Sequence, residues 1–368
     1  MRVRVVVLCA GLALLAGCRN KTVSAPPPTT ALAPTGLHSP WDLRQVAPTE
    51  LAYDCGPVIP LAANISILNE NYRSGDKTAA SEAVKNAAYA ESSAAVADLS
   101  GRVAAAADTY QASGSLPAAR CAARLLAAAA GDHAMAGWMS SRSAIYEQTK
   151  GLRAVSVAYL KVRDSGVLTP DQTATILAWF DDIAHSQRDF FDHAGCTKSR
   201  CDDHNHRASA AAYAVTSVGI AANGHGNFYW GVHKYRIAVS SIDQGGMVPS
   251  DLGSSLSLKF NIQSAAALVQ IAEYGELNGE PLYNYDKGRL HLLVHVVTRG
   301  IVDPTPIEAA SKHKKQHLPK TIEGWEIGWA TIYVRRFPDD VINGLLQQSS
   351  DAGLYAWGGA PFGSELEN

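Results

Sequence analysis

The sequence has almost no run in which apolar and polar residues alternate, so a fold built on half-buried strands is excluded from the start. It has little net charge, −2 at pH 7, so no global field draws a nucleic acid or another polyanion to it. Any anionic ligand must be held by a local basic groove. After residue 48 it has no Pro/Gly-rich linker, which argues for one domain of about 320 residues over residues 49–368. It has no strict internal repeat either, which argues against a regular solenoid.

Long apolar runs are missing except near the start. Residues 5–17 follow Arg2 and Arg4 and are too short and too early for an ordinary membrane span, so residues 1–18 read as an export signal. The stretch Leu15 to Cys18 has the form of a bacterial lipoprotein cleavage box. Cys18 is therefore expected to carry lipid and to become the new N-terminus. Arg19 follows it where an Asp would favour the inner membrane, so the expected location is the periplasmic side of the outer membrane, with the lipid as the only membrane contact. Residues 19–48 hold Pro26, Pro27, Pro28, Pro34 and Pro40 with few large apolar residues, and are expected to be a semi-extended tether.

Cysteine is scarce, at six. Cys9 leaves with the signal and Cys18 is the lipid site. Cys55, Cys121, Cys196 and Cys201 remain, an even number in an oxidising compartment. Cys196 and Cys201 are close enough to close a small loop, and Cys55 with Cys121 then follows by elimination, one of three possible connectivities.

The body is rich in Ala, Leu and Val at helical spacing. Residues 77–113, 116–130, 144–166 and 169–191 each read as a helix, the last opened by Thr169, Pro170 and Asp171. About a dozen helices joined by short turns indicate an all-α chain of helical hairpins, a curved stack or an incomplete (α/α) barrel.

Four polar clusters stand out. In "CDDHNHRASAAAYAV", residues 201–215, Asn205 is a good N-cap, and His206 falls in the first helical turn on the face of Ala210 and Tyr213. The free N–H groups there suit a carboxylate, and a neutral His beside it can take a proton from carbon. A capped helix end with exposed polar residues fits the same letters. Cys196, Cys201, His204 and His206 lack the usual zinc spacing, so no metal or other cofactor is expected. In residues 226–261, Tyr229, Trp230, His233, Tyr235 and Arg236 lie on a helix, as sugar platforms or as core. Lys259 is unusual in so apolar a run and either points into a cleft or snorkels. Lys312, His313, Lys314, Lys315, His317 and Lys320 form a basic loop. Asn71, Tyr72 and Arg73 precede the Gly75-Asp76 turn and read as a surface loop with possible ligand contacts.

Taken in order, these pieces resemble the alginate lyases of polysaccharide lyase family 5. The likeness runs through "YDC" at 53–55, "NYRSGD" at 71–76, "RCAARLLAAAA", "AYLKV", "HNHRASAAAYAV", "HKYR" to "DQGGMVPSDL", "LVQIAEYGELNG" and "WGGAPFG". The resemblance implies an incomplete (α/α) barrel and metal-free β-elimination on an anionic polysaccharide such as alginate or polymannuronate. It implies that Asn205 serves the uronate carboxylate and His206 handles protons. The family's lysine falls on Asn71, its arginine near Gly253 or Ser254, and its tyrosine on Phe260 or Asn261. Lys259, Arg207, His204, Tyr213 and Tyr235 are the candidates to stand in for these groups. The alternative is a polyuronate-binding lipoprotein on the same fold that no longer cuts, and a third reading is a helical scaffold in envelope assembly.

Overall fold

The computed structural model describes residues 36–67, 79–194, 196–197, 200–318 and 321–362; for 79–86, 194, 196–197, 200–201 and 356 it describes the backbone alone. Among the described residues twelve α-helices follow one another: α1 (Ala79–Ser113), α2 (Leu116–Gly131), α3 (Arg142–Val162), α4 (Pro170–Asp189), α5 (His206–Ala221), α6 (His225–Ser241), α7 (Ser257–Leu277), α8 (Arg289–Val302), α9 (Thr305–Ala310), α10 (Gly324–Ile327), α11 (Ala330–Val334) and α12 (Asp340–Gln348). The expected breaks hold. Ser115, Ser141 and Thr169 cap α2, α3 and α4 through their hydroxyls, with Pro117 and Pro170 at the starts of α2 and α4, where a missing N–H costs nothing.

The helices form an incomplete (α/α) barrel. In the inner row α1 packs on α3, α3 on α5 and α5 on α7, while α2, α4, α6 and α8 return outside them. Of the inner helices α3, α5 and α7 are buried nearly all round, so their apolar residues are not confined to a single stripe. No helix among the described residues is long and apolar enough to cross a membrane.

The tether expected over 19–48 is shorter than its composition suggests. From residue 36 the chain lies on the domain. Leu37 and Trp41 are buried, Asn223 and Asn278 accept from the backbone N–H groups of Leu37 and His38, and Arg163 pairs with Asp42. Proline here forms a short 3-10 turn, Pro40–Leu43, which delivers the indole inward. Cys55 is bonded to Cys121 as elimination suggested, which fastens this arm to α2. Strands β1 (Cys196–Thr197) and β2 (Arg200–Cys201) form a tiny antiparallel hairpin that sets the backbones of Cys196 and Cys201 opposite each other. Their side chains, like Cys18, lie outside the described residues.

Candidate active site

The site begins at the mouth of α5. Asn205 Oδ1 accepts from the N–H groups of Arg207 (3.0 Å) and Ala208 (3.3 Å), and its Nδ2 donates to Asp202 Oδ1 at 2.7 Å. That cap fixes the first turn and so the position of His206. The His206 ring is held on two sides. Its Nδ1 lies 2.6 Å from Asp251 Oδ1, and its face stacks on Phe260 with centroids 4.3 Å apart and planes 2° from parallel. The buried Asp251 carboxylate also accepts the His206 backbone N–H (3.0 Å) and the Ser264 hydroxyl (2.8 Å). With Nδ1–H given to a carboxylate, the favoured tautomer leaves the Nε2 lone pair for a ligand. Asp251 arrives from a tight turn in which Gly246 adopts φ 79°. A Cβ there would meet Leu292 O at 2.7 Å, so the turn needs glycine.

His206 lines a cavity of about 640 Å³, within the usual range for a ligand site. The cavity sits at the N-terminal halves of α3, α5 and α7 and beside the middle of α1, and the C-terminal segment closes its rim with Trp325, Tyr355 and Trp357. Three helix N-termini and the cations Lys150, Arg153, Arg207 and Lys259 make its wall attractive to anions; Glu147 and Glu323 are the carboxylates among its lining. Glu147 is already engaged by the Tyr89 hydroxyl and by Lys150. Burial would lower the Lys150 pKa, but Glu147 and Tyr89 outweigh it and hold the ammonium charged, while burial drives the Tyr89 phenol up so that it keeps its proton. Arg207 lies over the Tyr146 ring at 4.4 Å and reaches Asp202 at 3.5 Å. Lys259 lies 4.9 Å from the centroid of the Trp325 ring, and burial, reinforced by the charge of Lys150, lowers its pKa. Arg153 lies over Trp357 at 4.1 Å.

Of the residues singled out in the sequence, His206, Arg207 and Lys259 meet at this cavity. Asn205 does not line it; its Oδ1 caps α5 and its Nδ2 donates to Asp202. His204 stays outside, paired with Asp203. Tyr213 is fully buried below the site, its hydroxyl 3.5 Å from Trp357 O, and burial raises its pKa. Tyr235 is core: it is fully buried, donates to Leu282 O at 2.8 Å, and has its pKa driven up by burial. Its neighbours on α6 do not line the cavity; Trp230 donates to Asp192 and Tyr229 faces solvent. In the basic loop Lys315 pairs with Glu308, and His317 lines a smaller adjoining pocket that shares Lys259 and Trp325 with the main one. Tyr72, Arg73 and Lys320 lie outside the described residues. Sequence reasoning missed Arg153, Glu147, Lys150, Tyr89 and Asp251.

Known proteins share both the family and the fold of this chain. The family model described as "Alginate lyase" matches residues 39–307. An alginate lyase of Cobetia marina is 28% identical over 182 residues, covering 49% of this chain and 47% of that protein, so the chain spans about half the length of that relative in the match. An alginate lyase of Pseudomonas fluorescens is 23% identical over 325 residues, covering 87% of this chain and 83% of the relative. Among solved structures, alginate lyase A1-III from Sphingomonas species A1 superposes with a TM-score of 0.70 at 20% identity, covering 86% of this chain and 87% of that one. A variant of alginate lyase A1-III complexed with a tetrasaccharide gives the same TM-score of 0.70 at 18% identity, covering 89% of this chain and 96% of that one. At these identities the superpositions establish the shared barrel.

Proposed function

The chain belongs to the alginate lyase family, and from that membership we propose that it is a polysaccharide lyase that cuts a polyuronate of the alginate type by β-elimination. The observation that carries this reading is the oriented imidazole of His206 at the wall of a cation-lined cavity. The cationic wall takes the uronate carboxylate and makes the C5 proton more acidic, by stabilising the charge that develops when it leaves. His206 Nε2 removes that proton. The C5–H electron pair becomes the C4–C5 double bond, and the C4–O4 pair departs with the glycosidic oxygen.

That oxygen needs a proton. The family's tyrosine falls on Phe260 or Asn261, and neither has a proton to give at neutral pH; Phe260 packs flat against His206, and the Asn261 amide is held by Val248 N and Ser257 O. Tyr89 has a hydroxyl at the wall but spends it on Glu147. Lys259 is the better donor: it lies at the cavity wall beside the Trp325 ring, and burial lowers its pKa, which eases release of its proton. Asn205, expected to serve the carboxylate, acts here by fixing where the helix starts.

The test incubates the exported chain with polymannuronate, polyguluronate and polyglucuronate and follows ultraviolet absorbance of the unsaturated product. Absorbance should rise on at least one polymer and vanish with His206→Ala. Binding without absorbance would make the chain a polyuronate-binding lipoprotein that does not cut, and neither binding nor absorbance would leave a scaffold. The same reading places the protein in the periplasm, held to the outer membrane through lipid on Cys18. The Cys55–Cys121 disulfide supports an oxidising compartment. Cys18→Ser should move the protein from the membrane to the soluble fraction; retention at the membrane would remove the lipid from the account.

A further inference from the structure

Three cationic side chains are buried among the described residues: Arg153 (4% exposed), Lys161 (2%) and Lys234 (7%). Two have their charge compensated inside the protein. Lys161 pairs with Asp108 and donates to the carbonyls of Gly358 and Ala360, both at 2.9 Å. Lys234 lies 2.9 Å from Asp192 and donates to Phe191 O. Arg153 has neither a carboxylate nor a hydrogen-bond acceptor among the described residues, and its Nε is left without a partner. Its guanidinium rests on Trp357, whose own Nε1 is held by Trp325 O at 2.9 Å, and it opens on the cavity that His206 lines.

A buried cation without an anion carries an uncompensated desolvation penalty. The carboxylate whose charge reaches it, Glu147, is taken by Tyr89 and Lys150. Burial pushes the Arg153 pKa down to about 10, as it does for a cation stripped of water before its counter-ion has come. The missing anion is then the ligand's. A planar guanidinium fixed on an indole matches a carboxylate in a two-point fork. We infer that Arg153 binds and neutralises the carboxylate of the uronate unit being cleaved, while His206 works on the carbon beside it. The inference rests on the lyase reading for the reaction, although the carboxylate site stands on its own geometry.

The experiment uses the exported chain, with Arg153→Gln and Arg153→Lys, and three measurements. Sodium glucuronate should raise the melting temperature of the wild type while glucose does not, and Arg153→Gln should lose that shift. On the free-acid polymer, Arg153→Gln should lower kcat by about 10²–10³, with Arg153→Lys in between because it keeps the charge and loses the fork. On the methyl-esterified polymer the ratio of wild type to Arg153→Gln should collapse towards one, which a general folding defect would not produce. The ligand-free melting temperature of Arg153→Gln should hold or rise. Wild-type cleavage that survives Arg153→Gln on the free acid, or an equal loss on the ester, overturns the inference and leaves the lyase intact. No cleavage by the wild type, together with a glucuronate shift that Arg153→Gln abolishes, sinks the lyase and keeps the carboxylate site. Neither cleavage nor a shift overturns both.

Discussion

Two buried cations lie about two turns apart along α3 and solve the same problem in opposite ways. Lys161, toward the C-terminal end, has an internal carboxylate and two backbone carbonyls, and thereby ties the 358–360 segment to the inner row. Arg153, at the middle of the helix, has an aromatic plane and an open cavity. Charge that organises the fold is satisfied within it, while charge meant for a ligand is desolvated, oriented and left waiting. The barrel adds to the cavity side of that division, with the N-termini of α3, α5 and α7 gathered at the cavity.

The contrast breaks if changes at the two ends act alike. The largest effect is expected at the cavity: His206→Ala should cut the cleavage rate about 10²–10⁴-fold with little change in melting temperature, and a variant that keeps full activity removes His206 from the mechanism. At the other end Lys161→Met should lower the unfolding free energy by about 3 kcal/mol, because it strands Asp108 and two carbonyls, yet leave most activity per folded molecule. Denaturant unfolding and single-turnover cleavage on the same preparation separate the two. A smaller effect belongs to Asp251→Asn, which keeps the shape and weakens the hold on the His206 tautomer: about 10–100-fold in rate is expected, and an unchanged rate would mean that Phe260 stacking alone orients the ring.

Much of the architecture was legible in the letters because helices announce themselves by period and cap. Asn205 marked the start of α5 correctly, and that start placed His206 at the mouth. The Asn205 amide is itself used for the cap and for Asp202, a commitment the letters do not reveal. Tyr213 and Tyr235 looked equally available, but the inner row and α6 bury both, and no local pattern says which face of a helix turns inward when every face is apolar. Arg153 had a usable signal that passed unread: a single arginine in the apolar run "GLRAVSVAYL" is as anomalous as Lys259 in its own helix. Asp251 had none, because its partner lies 45 residues away and only the turn at Gly246 brings them together.

Lys259 tests on which side of the contrast a partly buried cation falls. Around it stand Lys150 on α3, Glu323 and Glu326 at the start of α10, and the Trp325 ring. Burial first, then the charge of Lys150, holds its pKa below the ordinary lysine value, against the opposing pull of the two glutamates. The folded protein therefore gives up this proton at a lower pH than the unfolded chain does. Between those two pKa values the unfolded state binds more protons, so the contribution of Lys259 to stability rises with pH. Below the folded value it is a standing penalty, relieved only as the pH climbs toward the unfolded value. Urea unfolding of wild type and Lys259→Met from about pH 7 to about pH 10 should show the wild type gaining on the variant at the alkaline end. The comparison must be a difference, because Arg153 in the folded protein and the tyrosines in the unfolded chain titrate toward the alkaline end and are common to both proteins. A flat difference, or one that shrinks with pH, would mean that Lys259 is compensated inside the fold as Lys161 is, and it would lose its place as the proton donor.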